Sequence, residues 1–220
     1  MSLIVTTAFE LNRIAAPNLP RAPEEYSTLH QNQLNNVLRL YFNRLDNLVG
    51  QLTASSFAAG LVVPYGAFSS NQDQSTTANT ATLMTLNTTD FSNEVSISSS
   101  KITVANAGIY NLQFSGQFQN TDNQIQDISI WLKQNGTDIA GSMGLVSIPA
   151  RKSASAGEEA HEIVGWNYYV QMQASDYIEI YWSATNASVT IQYYSAPTSP
   201  VRPSTQSVVA TLSFVSAIPA

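Results

Sequence analysis

The chain has 220 residues, contains no cysteine and carries a formal net charge of −6 at pH 7. Only 11% of its residues are charged, well below the ~25% of ordinary soluble domains. The acidic excess argues against a nucleic-acid partner, which needs clustered Lys and Arg, and the lack of cysteine excludes disulfides and thiolate metal sites. No apolar run reaches the ~18 residues that a membrane-spanning helix needs, so we expect no membrane partner.

Residues 1–23 predict an extended docking arm, because Pro17, Pro20 and Pro23 disfavour both helix and central strand. A segment this short cannot bury enough of its own surface to fold alone. A disordered tail is the alternative, but the arm has apolar side chains that a partner surface could bury. These docking-arm residues are Leu3, Ile4, Val5, Phe9, Leu11, Ile14 and Leu19.

Residues 24–53 predict one α-helix. Pro23 followed by Glu24 and Glu25 favours a helix start, because acidic side chains interact well with the N-terminal dipole. Six apolar side chains then recur at the alternating spacing of a heptad seam. The seam residues are Leu34, Leu38, Tyr41, Leu45, Leu48 and Leu52. The apolar surface is wider than a two-helix contact requires, so the helix packs either on its own domain or in a three-helix bundle.

A small-residue linker is predicted at 54–63, and strand patterns fill residues 64–220. Residues 102–119 alternate apolar and polar side chains, with a break at Gly108. We interpret this stretch as one strand that bends at Gly108 and becomes the central strand of the core. Asn135-Gly136 predicts a tight hairpin turn, because both residues tolerate positive φ, and Ile139 to Ile148 is the predicted partner strand.

Five further stretches read as strands, and no helical pattern lies among them. Many short strands that follow one another closely in the sequence, with no helix between them, indicate an antiparallel sandwich or barrel. The predicted fold class is therefore mainly β. The stretches are Leu61 to Ser70, Ile163 to Met172, Tyr177 to Ala184, Val189 to Tyr194 and Val208 to Ile218.

Short motifs in this region resemble the complement C1q and tumour necrosis factor jelly-roll superfamily. They are Ala67-Phe68-Ser69, Gly108 to Phe114, Leu132 to Gly136, Met172 with Asp176 to Ile180, and Ser213-Phe214. The resemblance covers residues 64–217 and implies a ten-strand jelly roll that trimerises about a three-fold axis. The calcium sites of the family are not evident here, so none is expected.

The leader resembles the N-terminal segments of small virion proteins of marine tailed phages, notably cyanophages. The similarity lies in Pro17 to Pro23, Tyr26 and Asn32 to Asn47. It supports the interpretation of the leader as a docking arm.

Patterns that carry chemistry are scarce. The two histidines, His30 and His161, lack the spacing of a zinc site, and no nucleophile, phosphate or dinucleotide motif occurs. We therefore expect no enzyme, no cofactor and no metal. A pair of carboxylates in space and a cation at the acidic loop Glu158 to Glu162 stay open.

Aromatic residues cluster in the last third of the chain. Most alternate inward as core, but some could face a neighbouring subunit or stack on carbohydrate. The cluster consists of Trp166, Tyr168, Tyr169, Tyr177, Tyr181, Trp182, Tyr193 and Tyr194.

Together these features predict a phage virion protein, a homotrimeric capsid decoration (cement) protein on the outer surface of the head. Its partner would be the major capsid protein or another virion protein. The first 50 residues have four acidic and four basic side chains, so the net charge of −6 lies entirely in the predicted projecting part. The alternative is a receptor-binding module at a tail fibre or spike tip that recognises host glycan. The fold serves both uses and cannot decide between them.

Overall fold

The computed structural model describes residues 16–54, 63–153, 155 and 158–218, with helix side chains described as far as Val49. The chain divides into two compact units, Met1–Val62 and Val63–Ala220. Most of the predicted docking arm and linker lies outside the described residues. The arm residues concerned are Leu3, Ile4, Val5, Phe9, Leu11 and Ile14.

Helix α1 spans Thr28–Ala54 and is the single helix within the described part of the chain. It begins four residues later than the predicted start at residue 24. The reason is an N-cap: the backbone N–H of His30 donates to the Ser27 hydroxyl at 3.3 Å, and that of Gln31 donates to the Ser27 carbonyl at 3.0 Å. Serine is a favoured cap because its side chain satisfies an N–H that the first turn leaves free.

The second unit is a sandwich of two antiparallel sheets. The first sheet consists of β1 (Tyr65–Ser70), β2 (Gln74–Ser75), β4 (Thr88–Asn93), β7 (Gly108–Asn120), β11 (Ala160–Met172), β13 (Val189–Ile191) and β14 (Val208–Ser216). The second sheet consists of β3 (Thr82–Leu83), β5 (Val95–Ser98), β6 (Lys101–Val104), β8 (Gln126–Gln134), β9 (Thr137–Asp138), β10 (Gly144–Ile148) and β12 (Tyr177–Ala184).

The strand order is that of a jelly roll. In the first sheet β14 lies between β1 and β7, and β11 pairs with the other side of β7. In the second sheet the order is β10-β8-β12-β6-β5. Two sheets interleaved in this way define the double Greek key of a jelly roll. The predicted antiparallel jelly-roll sandwich, preceded by one helix, is confirmed.

Strand β7 is the central strand of the first sheet. It pairs with β11 along its whole length, from Gly108↔Met172 to Asn120↔Ala160, and with β14 on its other side. The predicted bend at Gly108 is wrong in one respect, because β6 and β7 are separate strands in opposite sheets. Gly108 itself is needed for close packing, since a Cβ there would stand 2.4 Å from the ring of Phe214.

The core lies between the sheets and follows the predicted alternation. The inward side chains of β7 include Tyr110, Leu112 and Phe118, all fully buried. Phe118 meets Trp182 of β12 across the sandwich with their ring centroids 5.6 Å apart, at the edge-to-face angle that aromatic pairs prefer. Burial of such side chains against each other is the main source of stability.

The hairpin prediction at Asn135-Gly136 is confirmed, since these residues have φ of 52° and 80° and join β8 to β9. The continuous partner strand from Ile139 to Ile148 is wrong. Gly141, with φ of 78°, breaks it, and the Ser142 hydroxyl accepts from the Leu132 N–H at 3.0 Å. Pairing with β8 resumes at Gly144.

Asp176 ties two turns together. Its carboxylate accepts hydrogen bonds from the Gln173 N–H at 2.7 Å, the Gln134 amide at 2.9 Å and the Asn135 amide at 2.7 Å. Burial alone would raise the pKa of Asp176, but these hydrogen bonds from Gln173, Asn135 and Gln134 outweigh it and hold the pKa below its ordinary value.

We expect Asp176→Asn to lower the free energy of unfolding by roughly 1–2 kcal/mol at neutral pH, because an amide has one acceptor oxygen for these three donors. Since the folded pKa is lowered, this stabilisation is present above the pKa of the unfolded chain and is lost as the pH falls through the folded pKa. Urea unfolding of both proteins at about pH 7 and about pH 2.5 measures this. A difference of the same size at both pH values would contradict it.

Candidate interaction surfaces

The described residues hold no metal cluster. No three His, Asp or Glu side chains among them come together in a way that could bind an ion, and this includes Glu158, Glu159 and Glu162 of the acidic loop. His161 lies with its Nδ1 3.2 Å from the Tyr194 hydroxyl, and His30 with its Nε2 3.5 Å from the Pro20 carbonyl. Across the same residues, no helix combines the length and the apolar character that crossing a bilayer requires.

The helix seam forms a partly covered stripe along α1. Its described members, Leu34, Leu38, Tyr41, Leu45 and Leu48, are all half-buried. The side chain of Leu52 lies outside the described residues. Leu40, Phe42 and Val49 flank the seam and are exposed, as is Leu19 of the arm. The stripe is wide enough for more than one partner helix, so the three-helix prediction stands untested.

A second surface covers the outward side of the first sheet. On β7, β11 and β14 every other side chain points inward to the core, so the remaining ones share one face. We call this the uncharged face, because none of its side chains is Asp, Glu, Lys or Arg. It consists of Ile109, Asn111, Gln113, Ser115, Gln117, Gln119, His161, Ile163, Gly165, Asn167, Tyr169, Gln171, Val209, Thr211, Ser213 and Val215.

The outward side of the second sheet is different. Lys101, Asp127, Lys133 and Glu179 all stand on it. Charge is therefore absent from the outward rows of β7, β11 and β14 and present on those of β6, β8 and β12. The centre of a protein–protein interface is depleted in charged side chains and enriched in aromatic ones, so the uncharged face has the composition of an interface.

A shallow depression lies in the middle of the uncharged face. It measures about 420 Å³ and forms where Gly165 has no side chain. Gln113, Asn167 and Ile163 line it. A glycine is required here because a Cβ would stand 2.1 Å from the Phe114 carbonyl oxygen of β7. Amide groups beside an apolar rim suit a protein side chain better than a small ion.

Sequence reasoning predicted the helix seam and did not identify the uncharged face. The signal was present, since the outward positions of β7 are almost all Asn, Gln or Ser. What was lacking was the pairing of β7 with β11 and β14, which brings three such rows together. The aromatic cluster divides as follows: Trp182 is core, Tyr169 lies on the uncharged face, and Tyr177 and Tyr181 face outward on the second sheet.

Comparisons with known proteins assign no family to the chain. No family model matches the chain, and no curated protein matches it. Among solved structures, the globular domain of zebrafish complement 1qA protein is 12% identical and covers 71% of this chain and 99% of its own, with a TM-score of 0.42. A similarity of this size assigns no function, and the jelly roll rests on the strand order described above.

We expect Leu38→Asp combined with Leu45→Asp to weaken or dissociate the assembly, because two unpaired charges in an apolar seam cost several kcal/mol, on the order of 2–7 for each buried polar group. Light scattering on a size-exclusion column measures the mass. The matched control is Asn43→Asp with Asn47→Asp, at two exposed polar positions of the helix away from the apolar stripe. An unchanged mass for the seam variant would show that the seam packs elsewhere.

Proposed function

We propose that the chain is a structural protein of a tailed-phage particle, a homotrimer that decorates the outer surface of the capsid. The observation that carries the proposal is the uncharged face, a broad surface of the projecting domain with the composition of a subunit interface. The half-buried seam of α1 provides a second surface for contact between copies. The phage origin is supported by the resemblance of the leader to small virion proteins.

Burial of the uncharged face between copies is physically favourable. Ile163, Tyr169 and Val215 stand exposed on it, and each large apolar side chain that is buried stabilises an interface by roughly 1.5–3 kcal/mol. Because the face has no ionised carboxylate, lysine or arginine, its burial avoids the penalty of several kcal/mol for each desolvated charge. The amides of Gln113 and Asn167 can hydrogen-bond to the neighbouring copy.

The two units take different roles in this proposal. The jelly roll carries all the excess negative charge and projects outward, where like charge keeps particles soluble and apart. The helix and the arm hold the trimer on the shell, against the major capsid protein or another virion protein. Three arms on one trimer would bind with avidity, because each bound arm raises the effective concentration of the next.

A receptor-binding module at the tip of a tail fibre is the second candidate. Both candidate functions require a homotrimer, and they differ in the part of the particle to which the trimer is attached. Gold-labelled antibody against the jelly roll, imaged on intact particles, separates the two, because label over the head surface supports decoration and label at the tail tip supports the alternative.

We expect Ile163→Lys to dissociate the trimer, since a lysine in the interface would be desolvated without a partner. The control is Leu145→Lys on β10, because the two side chains are equally exposed in the folded chain, at 66% and 65%. Neither change should affect the fold of the chain, so the far-ultraviolet circular dichroism spectrum of each variant serves as a check. Analytical ultracentrifugation measures the mass, and equal behaviour of the two variants would remove the uncharged face from the interface.

A truncated protein that begins at Glu24 should keep its fold, its melting temperature and its trimeric mass and lose attachment to the particle. The arm has seven apolar side chains, and burying half of them at ~1.5–3 kcal/mol each would outweigh a modest ordering cost. Co-sedimentation with particles stripped of the protein measures attachment. Full occupancy by the truncated trimer would place the anchor in the helix or the jelly roll.

A further inference from the structure

The outward side of the second sheet carries a compact group of aromatic and charged side chains on three neighbouring strands. We call it the aromatic–charged patch, and it consists of Lys101, Trp131, Lys133, Tyr177, Glu179 and Tyr181. The register of β8 and β12 sets Trp131 opposite Tyr181 and Lys133 opposite Glu179. Strand β6 pairs with the other edge of β12. Because Ile178 lies opposite Ile102 in this antiparallel pair, Glu179 lies opposite Lys101.

The aromatic rings of the patch lie close to one another and to the two ammonium groups. The centroids of Trp131 and Tyr181 are 5.9 Å apart with their planes tilted by 31°. The Lys133 ammonium lies 4.5 Å from the centroid of Tyr181, and the Lys101 ammonium lies 4.3 Å from that of Tyr177. Such cation–π contacts hold long side chains in place at little cost.

Asp138 closes one end of the patch. Its Oδ1 accepts a hydrogen bond from the Trp131 indole N–H at 2.9 Å and lies 3.4 Å from the Lys133 ammonium. These two contacts fix the indole ring and the ammonium together. The Asp138 side chain itself is 66% exposed, so its second oxygen is open to a ligand.

Glu179 offers an unoccupied acceptor at the centre of the patch. It is only 5% exposed, yet within the described part of the chain its carboxylate accepts no hydrogen bond and forms no ion pair, because both neighbouring ammonium groups lie over tyrosine rings instead. Its oxygens nevertheless reach solvent, because the buried side-chain atoms without a partner among the described residues belong to Asn111, Trp182 and Gln206. A carboxylate that faces solvent and that no donor of the protein occupies is available to accept hydrogen bonds from a ligand.

We propose that the aromatic–charged patch binds a neutral saccharide, with a sugar ring packed against Trp131 and Tyr181 and its hydroxyl groups bonded to Glu179 and Asp138. The charges decide the class of ligand. Lys101 and Lys133 balance Glu179 and Asp138, so the patch offers no net attraction to a cation or an anion. A sugar hydroxyl both donates and accepts, and therefore matches a site in which ammonium donors and carboxylate acceptors alternate around aromatic rings.

This inference does not rest on trimerisation or on attachment to a capsid. The patch and the uncharged face lie on opposite sides of the sandwich, because they belong to the outward sides of different sheets. A trimer built on the uncharged face leaves the patch on the exterior, where a polysaccharide can reach it. Failure of the proposed function would leave the saccharide site intact, and the reverse also holds.

The experiment titrates the full-length protein with maltohexaose, cellohexaose and mannohexaose, and with 3′-sialyllactose as a charged sugar, by isothermal calorimetry and saturation-transfer NMR. We expect at least one neutral hexasaccharide to bind and sialyllactose not to bind. Glu179→Gln and Tyr181→Ala should each weaken binding at least tenfold. The control is Leu145→Ser, an exposed apolar side chain on the same side of the second sheet, which should bind as the unaltered protein does.

Thermal unfolding of Glu179→Gln separates a binding role from a purely structural one. If the carboxylate is kept for a ligand, the isosteric amide leaves the melting temperature unchanged or raises it. If the carboxylate holds Lys101 and Lys133 in place, the amide lowers it. The proposal is overturned if no neutral saccharide binds, if the variants bind as well as the unaltered protein, or if Glu179→Gln loses stability and binding together.

Discussion

The double-sided pairing of β7 is the constraint on which the rest of the jelly roll depends. Its thirteen residues pair with β11 on one side and with β14 and β13 on the other. A strand held on both sides cannot slip by one residue without turning its whole buried row outward. The inward row, which includes Tyr110, Leu112 and Phe118, therefore fixes which side chains of β11 and β14 face the core and which face away.

The same alternation produces the functional asymmetry of the sandwich. The outward rows of β7, β11 and β14 lie side by side and combine into a surface without charged carboxylates or ammonium groups. The outward rows of β6, β8 and β12 combine into a surface where Lys101, Lys133 and Glu179 meet. One face has the composition of a contact between proteins and the other has groups suited to a polar ligand, so a single fold can assemble and remain open to a ligand at once.

Much of the fold follows from local pattern in the sequence. The alternation of Ile178, Ile180 and Trp182 predicts the buried row of β12, and Asn135-Gly136 predicts the hairpin between β8 and β9. Both signals depend only on neighbours in the chain. The break at Gly141 escaped prediction because apolar residues continue on both sides of it. The helix start at Thr28 was predicted too early, because Glu24 and Glu25 and the cap at Ser27 are both typical signals of a helix N-terminus. The structure uses the Ser27 cap.

The candidate surfaces were harder to predict, since they depend on which strands become neighbours. No pattern within β11 indicates that Ile163 will lie beside Gln117 of β7, and none within β12 indicates that Glu179 will lie between two lysines. Glu179 in particular occupies an outward position, and a sequence predicts such a side chain to be solvated. Its burial follows from the bulk of Tyr177 and Tyr181 on either side of it along the same strand.

Hydroxyl-radical footprinting of the native assembly tests the central claim, that the uncharged face is buried between copies, most directly. Ile163 and Leu145 are equally exposed in the folded chain and lie on opposite sides of the sandwich. Both are aliphatic, so a difference between their oxidation rates in the assembly measures a difference in burial. We expect strong protection of Ile163 and none of Leu145 in the assembled protein. Equal oxidation of the two side chains would contradict it.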